Sequence, residues 1–102
     1  MKRNIYMIYD TATAIYMGPL VFRADGEALR EFEALSTNAD SKIGKNPEDF
    51  SFYKVGEFDD HDGIMVPLDK ICLATALEMV AKARQPETVT ENVQRINAGG
   101  TI

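Results

Sequence analysis

The chain opens on an alternating pattern. Between Asn4 and Tyr9, Ile5, Met7 and Tyr9 fall on one face of a strand and Tyr6 and Ile8 on the other, so both faces are largely apolar. Such a strand is either central and covered twice, or one of its faces meets a partner. Asp10 to Thr13 reads as a connection, and Ala14 to Met17 with Leu20 to Arg23 as a second strand interrupted at Gly18-Pro19. Proline within a strand removes a ladder donor and marks an edge or a bulge, so the pattern predicts a hairpin with its second strand at the edge. The period then changes. Ala28, Leu29, Phe32 and Leu35 recur at spacings of three and four behind Asp25, a good N-cap, with Glu27, Arg30, Glu31 and Glu33 on the outer side. This helix should fail near Ser36 to Asp40, whose side chains compete for backbone hydrogen bonds. A polar loop follows from Ser41 to Asn46, carrying Lys42 and Lys45 around Gly44.

A second hairpin occupies Pro47 to Pro67. Pro47 suits a first helical position, so Pro47 to Phe50 can form one turn feeding a strand over Ser51 to Phe58. Asp59, Asp60, His61, Asp62 and Gly63 are turn formers, and Ile64 to Val66 supply a return strand that Pro67 closes. Ile71 to Leu73 fit either a further short strand or the start of a helix. Helical spacing at Leu73, Ala76, Leu77, Val80 and Ala81, with Glu78 to Lys82 as an i, i+4 pair, predicts helix over Ala74 to Ala83. Gln85-Pro86 breaks it. Beyond, Val89, Val93 and Ile96 make an apolar stripe too short to hold a helix alone in water, so order there would require contact with the core or another subunit. The expected fold is α+β: a small antiparallel sheet from two hairpins with helices packed on it, one domain over residues 1–84 and a helical or flexible tail over 85–102.

Composition narrows the function classes. The chain has 102 residues, 45% apolar and 26% charged, a globular balance with no apolar run long enough to cross a bilayer. Its start lacks the apolar block of a signal peptide, which predicts a cytosolic protein. Cys72 is alone, so neither an intramolecular disulfide nor a cysteine-based zinc site can form within the chain; it reads as a small buried hydrophobe. The formal net charge is −5, which argues against coating DNA by charge alone: basic groups would have to gather on one face.

Nothing in the chain names a reaction. His61, the one histidine, sits among acids without a nucleophile or second acid at useful spacing, and phosphate-loop, dinucleotide, zinc-protease and nucleophile-elbow motifs are all missing. The Asp59-Asp60-His61-Asp62 run crowds its ligand types into consecutive turn positions, which cannot converge on one ion as a calcium loop does. No catalytic residue, metal or cofactor is expected.

One group of short motifs is more specific. Pro47-Glu48-Asp49-Phe50, Val55-Gly56-Glu57-Phe58-Asp59-Asp60, Gly63 and Pro67-Leu68 together resemble the hairpin of the small non-structural protein of gokushovirus-type microviruses, phages with single-stranded DNA genomes. Ile5 to Asp10, Pro19 to Phe22 and Ala28 to Phe32 fit the same family's order, extending the resemblance over roughly four fifths of the chain. It implies a non-structural protein in the host cytoplasm, acting in synthesis or packaging of single-stranded genomes and binding DNA. No family motif carries a catalytic role.

The residues that could serve such binding are aromatic and basic. Tyr6, Tyr9, Tyr16 and Tyr53 lie in predicted strands, and Arg3, Arg23, Lys42, Lys45 and Lys54 lie in those strands or in the loop before the third; the candidate site takes Tyr6, Tyr16 and Tyr53 with these five cations. Single-strand binders combine a basic groove with rings on which bases stack. The competing reading of strand tyrosines is as core or cross-strand partners. Glu57 to Asp69 carries five acids and no base, so the hairpin tip should repel phosphate. The alternative function is a dimeric adaptor that recruits host or viral replication proteins without touching DNA. Net acidity and the doubly apolar first strand motivate it.

Overall fold

The structure, a computed structural model, describes residues 1–84. Four strands form one antiparallel sheet in the order β2-β1-β3-β4, where β1 is Lys2–Asp10, β2 Ile15–Phe22, β3 Phe50–Asp59 and β4 Met65–Thr75. Three helices, α1 (Asp25–Thr37), α2 (Lys42–Lys45) and α3 (Ala76–Arg84), complete an α+β fold. Both expected hairpins are present, and pairing of β1 with β3 fuses them into a single sheet. The predicted tail over 85–102 lies outside the described residues.

Among the described residues, helices cover one face of the sheet. Tyr6, Ile8, Phe50, Phe52 and Ala74 point toward the helices and pack with Ala28, Phe32, Ile43 and Ala76 into the core. Its centre is a row of rings. Phe32 of α1 stacks on Phe52 at 4.7 Å, Phe52 on Tyr6 at 5.3 Å, and Phe22 meets Tyr6 edge-on at 5.9 Å. Each such pair adds about 0.5–1.5 kcal/mol to the burial of its rings. Ile5, Met7 and Tyr9 occupy the opposite, helix-free face of β1, so the doubly apolar strand is central in the sheet yet covered by helices on one side only.

Several local expectations are corrected. Asp25 is the first helical residue instead of the N-cap: Ala24 holds the cap position without a side-chain bond. The loop at Ser41 contains a helical turn, since Ser41 Oγ accepts from the Gly44 N–H at 2.8 Å and donates to the Leu35 carbonyl at 2.6 Å. Pro67 does not end the return strand, because β4 is an edge and needs no donor there; the strand runs on for 11 residues. The helix after it therefore starts at Ala76, two residues later than its spacing suggested. It is fixed by a reciprocal cap: Glu78 Oε1 accepts from the Thr75 N–H at 2.8 Å and Thr75 Oγ1 from the Glu78 N–H at 3.1 Å. Lys82 pairs with Glu33 of α1 at 3.8 Å in place of Glu78, tying the two helices together. Cys72 is exposed, because it lies on the edge strand opposite Tyr53 on the open face.

The acidic hairpin tip is more ordered than a solvated turn. Asp59 accepts from the His61 N–H at 2.8 Å and Asp62 from the Ile64 N–H at 2.9 Å, with Gly63 at φ 76°. Asp60 accepts from Arg3 Nε at 3.0 Å and from the Met1 amine at 2.9 Å. These bonds hold both carboxyls below the ordinary range, Asp59 chiefly through His61 and then the amine, Asp60 chiefly through the amine and then Arg3. A depressed carboxyl stabilises the fold above its unfolded value and loses that contribution as pH falls through the lower folded one. Carboxyl chemical shifts followed by NMR should accordingly place both midpoints under about 3.9, and ordinary midpoints would show the tip to be loose.

Two substitutions test the packing. Phe32→Ala should cost about 3–5 kcal/mol in chemical denaturation, since it removes the ring joining α1 to the sheet. Gly44→Ala would drive a Cβ into the Asn38 carbonyl and should cost about 1–3 kcal/mol, whereas Gly26→Ala, with open space around it, should not destabilise.

Candidate nucleic-acid interface

The tyrosines divide by face. Tyr6 is fully buried among the core rings; its hydroxyl donates to Asp25 Oδ1 at 2.6 Å and accepts from Asn4 Nδ2 at 3.1 Å. A base cannot reach it, so Tyr6 is a core residue and not part of a stacking surface. Burial first, then the Asp25 hydrogen bond, pushes its hydroxyl up to about 12. Tyr9, Tyr16 and Tyr53 gather on the open face. Register explains this: Tyr9 pairs with Tyr16 across β1 and β2, and Met7, two residues before Tyr9 on the same face, pairs with Tyr53 of β3. The ring centroids lie 4.5 Å apart for Tyr9 and Tyr16, 5.8 Å for Tyr16 and Tyr53, and 6.5 Å for Tyr9 and Tyr53, in tilted and edge-on contacts. Tyr16 is 38% exposed and offers the most accessible ring. Tyr53 is half-buried, and desolvation raises its hydroxyl, with Cys72 the next cause.

A cation reaches this cluster from an unexpected quarter. Between the pairs Lys54–Ile71 and Gly56–Pro67, β4 spends four steps where β3 spends two, so Leu68, Asp69 and Lys70 bulge. Lys70 Nζ lies 5.4 Å from the Tyr16 ring centroid, within cation–π range.

The predicted basic residues do not converge there. Lys54 lies on the helix side, 3.7 Å from Asp25 Oδ1, and Lys42 lies 3.7 Å from Asp10, a buried carboxylate that also accepts from the Ala12 N–H at 3.0 Å. Both are engaged in holding the fold. Arg3 shares the open face but is bound to Asp60 at its far end. Arg23 is exposed beyond β2, and Lys45 lines a cavity of about 340 Å³ with Arg84, between α1, α2 and α3. Of the eight predicted residues, Tyr16 and Tyr53 meet on the open face, while Tyr6 and Lys54 meet at Asp25 on the covered one. Sequence reasoning named Tyr9 among the strand aromatics but left it out of the site, and missed Lys70. Tyr9 shares the face of Ile5 and Met7 by simple alternation, while Lys70 follows directly on the acidic stretch and gave no signal.

Among the described residues no three His, Cys, Asp or Glu side chains come together as a metal site would need, and no helix is long and apolar enough to cross a membrane. Among the described residues the arrangement is an antiparallel sheet with helices on one face and a tyrosine cluster on the other. The family of Phage ORF5 proteins matches residues 3–79, from the second residue of β1 through β4 into α3, and the chain belongs to that family. It is 38% identical over 74 residues to Protein ORF5 of Chlamydia phage 1, covering 68% of this chain and 76% of that protein. Both findings agree with the resemblance read from the hairpin motifs: this is a small phage protein. No solved structure matches it.

Removal of the Tyr6 hydroxyl should separate fold from interface. Tyr6→Phe leaves the Asp25 and Asn4 groups without their partner and should cost about 1–2 kcal/mol of stability, while abolishing the tyrosinate transition near 12 in an absorbance titration.

Proposed function

We propose that this protein binds single-stranded DNA on the open face of its sheet, as a non-enzymatic factor of a microvirus acting in genome synthesis or packaging within the host cytoplasm. The observation that carries this reading is the contiguous surface of Tyr9, Tyr16 and Tyr53 under the Lys70 ammonium. Rings on an uncovered sheet face are the stacking platform that sequence-tolerant single-strand binders use. A base stacking on Tyr16 would displace Lys70 from the ring toward the neighbouring phosphate, converting a cation–π contact into an ion pair. The net charge of −5 then favours the single strand over the duplex, because a duplex offers no free base faces and more phosphate for the acidic surface to repel.

Fluorescence anisotropy with a labelled oligothymidylate, at low and physiological salt, provides the test. Tyr16→Ala and Tyr53→Ala should each weaken binding by about 5- to 150-fold, the range that loss of one stacked base implies. Lys70→Gln should lower the salt slope by roughly 0.7, one phosphate's share on a single strand. Lys45→Glu, on the helix side, should change affinity little. Binding that survives all three open-face substitutions would sink the proposed interface. No binding by the wild-type protein at low salt would favour the adaptor that recruits replication proteins.

A further inference from the structure

The tyrosine cluster is too small for a strand to run across it. Tyr53 stands at 70° to Tyr16 and at 84° to Tyr9, so the three rings cannot lie side by side as a flat floor for successive bases. They pack on one another instead. Tyr9 and Tyr53 are half-buried, and Tyr16, 38% exposed, presents the accessible ring. One base can stack there. The charge at the site is equally limited. Among the described residues Lys70 is the one cation at the cluster, because Arg3 on the same face is bound to Asp60 at its far end and Lys42 and Lys54 are engaged by Asp10 and Asp25. We propose that the site takes one nucleotide bearing one phosphate monoester, a phosphorylated strand end or a free nucleoside monophosphate, in place of the interior of a strand; this deepens the single-strand reading and rests on it.

The match is one of number. One ring accepts one base face, and one ammonium serves one phosphate. A phosphate monoester carries about −1.5 to −2 charges near neutral pH where a backbone diester carries about −1, so a lone cation gains most from a terminal phosphate. The interior of a strand fits less well. There each base is flanked by a phosphate on either side, and the second would meet no cation while lying against a chain of net charge −5. Asp69, beside Lys70 in the same bulge, and the acidic hairpin before it add to that repulsion. A terminal nucleotide also leaves one stacked neighbour on entering the site, whereas an interior one must leave two, and the cost of unstacking falls accordingly.

NMR titrations of the full chain, followed on the tyrosine ring resonances, test the proposal. The probes are thymidine monophosphate and oligothymidylates of about 4 and about 16 nucleotides, the span of site sizes among continuous-track binders. Each oligomer is used with and without a terminal phosphate, and the longer one also closed into a circle. A terminal phosphate should tighten binding about two- to fivefold, the share of one exposed ion pair, and Lys70→Gln should erase that difference while the base still shifts the Tyr16 resonances. Affinity should be equal at the two lengths, since every linear strand has the same ends, and the circle should bind weakest. Thymidine monophosphate that matches the phosphorylated strand makes the free nucleotide the ligand, and weaker binding by it makes the strand end the ligand; either result supports a single-nucleotide site. Affinity that climbs with length, or a circle that binds as tightly as the linear strand, overturns the proposal and leaves the single-strand reading standing as a continuous track. Tyrosine resonances unmoved by every probe at low salt refute that reading itself, and the proposal with it.

Discussion

Stacking of Phe32 on Phe52, continued onto Tyr6, is the contact on which the rest of the architecture depends. It brings together one ring from α1, one from β3 and one from β1, so it fixes the helix layer and the pairing of the two hairpins at once. Once Phe52 and Tyr6 face the helix, the pleat turns Tyr53 and Met7 the other way. Tyr9 follows by the same alternation, and Tyr16 by its pairing with Tyr9. The aromatic surface on the open side is thus a geometric consequence of the aromatic core on the covered side.

Much of this was legible in the residues. Alternation in β1, the Gly18-Pro19 interruption of β2, the helical period of α1 and the turn chemistry at Gly63 gave both hairpins and the helix. The motifs of the second hairpin gave the family. What could not be read were features set by the neighbours of a segment. Pro67 looks like a strand terminator until β4 is known to be an edge, and Asp25 looks like a cap until Tyr6 and Lys54 are seen to claim its carboxylate. Tyr6 and Tyr16 are equivalent in local pattern, and only the position of α1 decides which is buried.

The charge pattern misled for a related reason. Counting lysines and arginines does not reveal which are already engaged. Lys2, Arg3, Lys42, Lys54 and Lys82 all pair with carboxylates, whereas Arg23, Arg30, Lys45, Lys70 and Arg84 have no such partner among the described residues. The cation that meets the tyrosines comes from this second group, and a strand bulge positions it there. In an acidic chain, electrostatic recognition is governed by the unspent cations and their placement more than by the total.

Pairing of β1 with β3 also has a temporal side. The two central strands lie far apart in the chain, with Lys2 opposite Asp59. At about 5–20 residues per second, some 2 to 7 seconds separate completion of the first hairpin at Phe22 from completion of β3 at Asp59. Throughout that interval the nascent first hairpin carries two apolar faces and one unfilled edge. A folding chain in this state is vulnerable to capture by another nascent copy, and its yield in the cell should depend on how quickly translation passes residue 59.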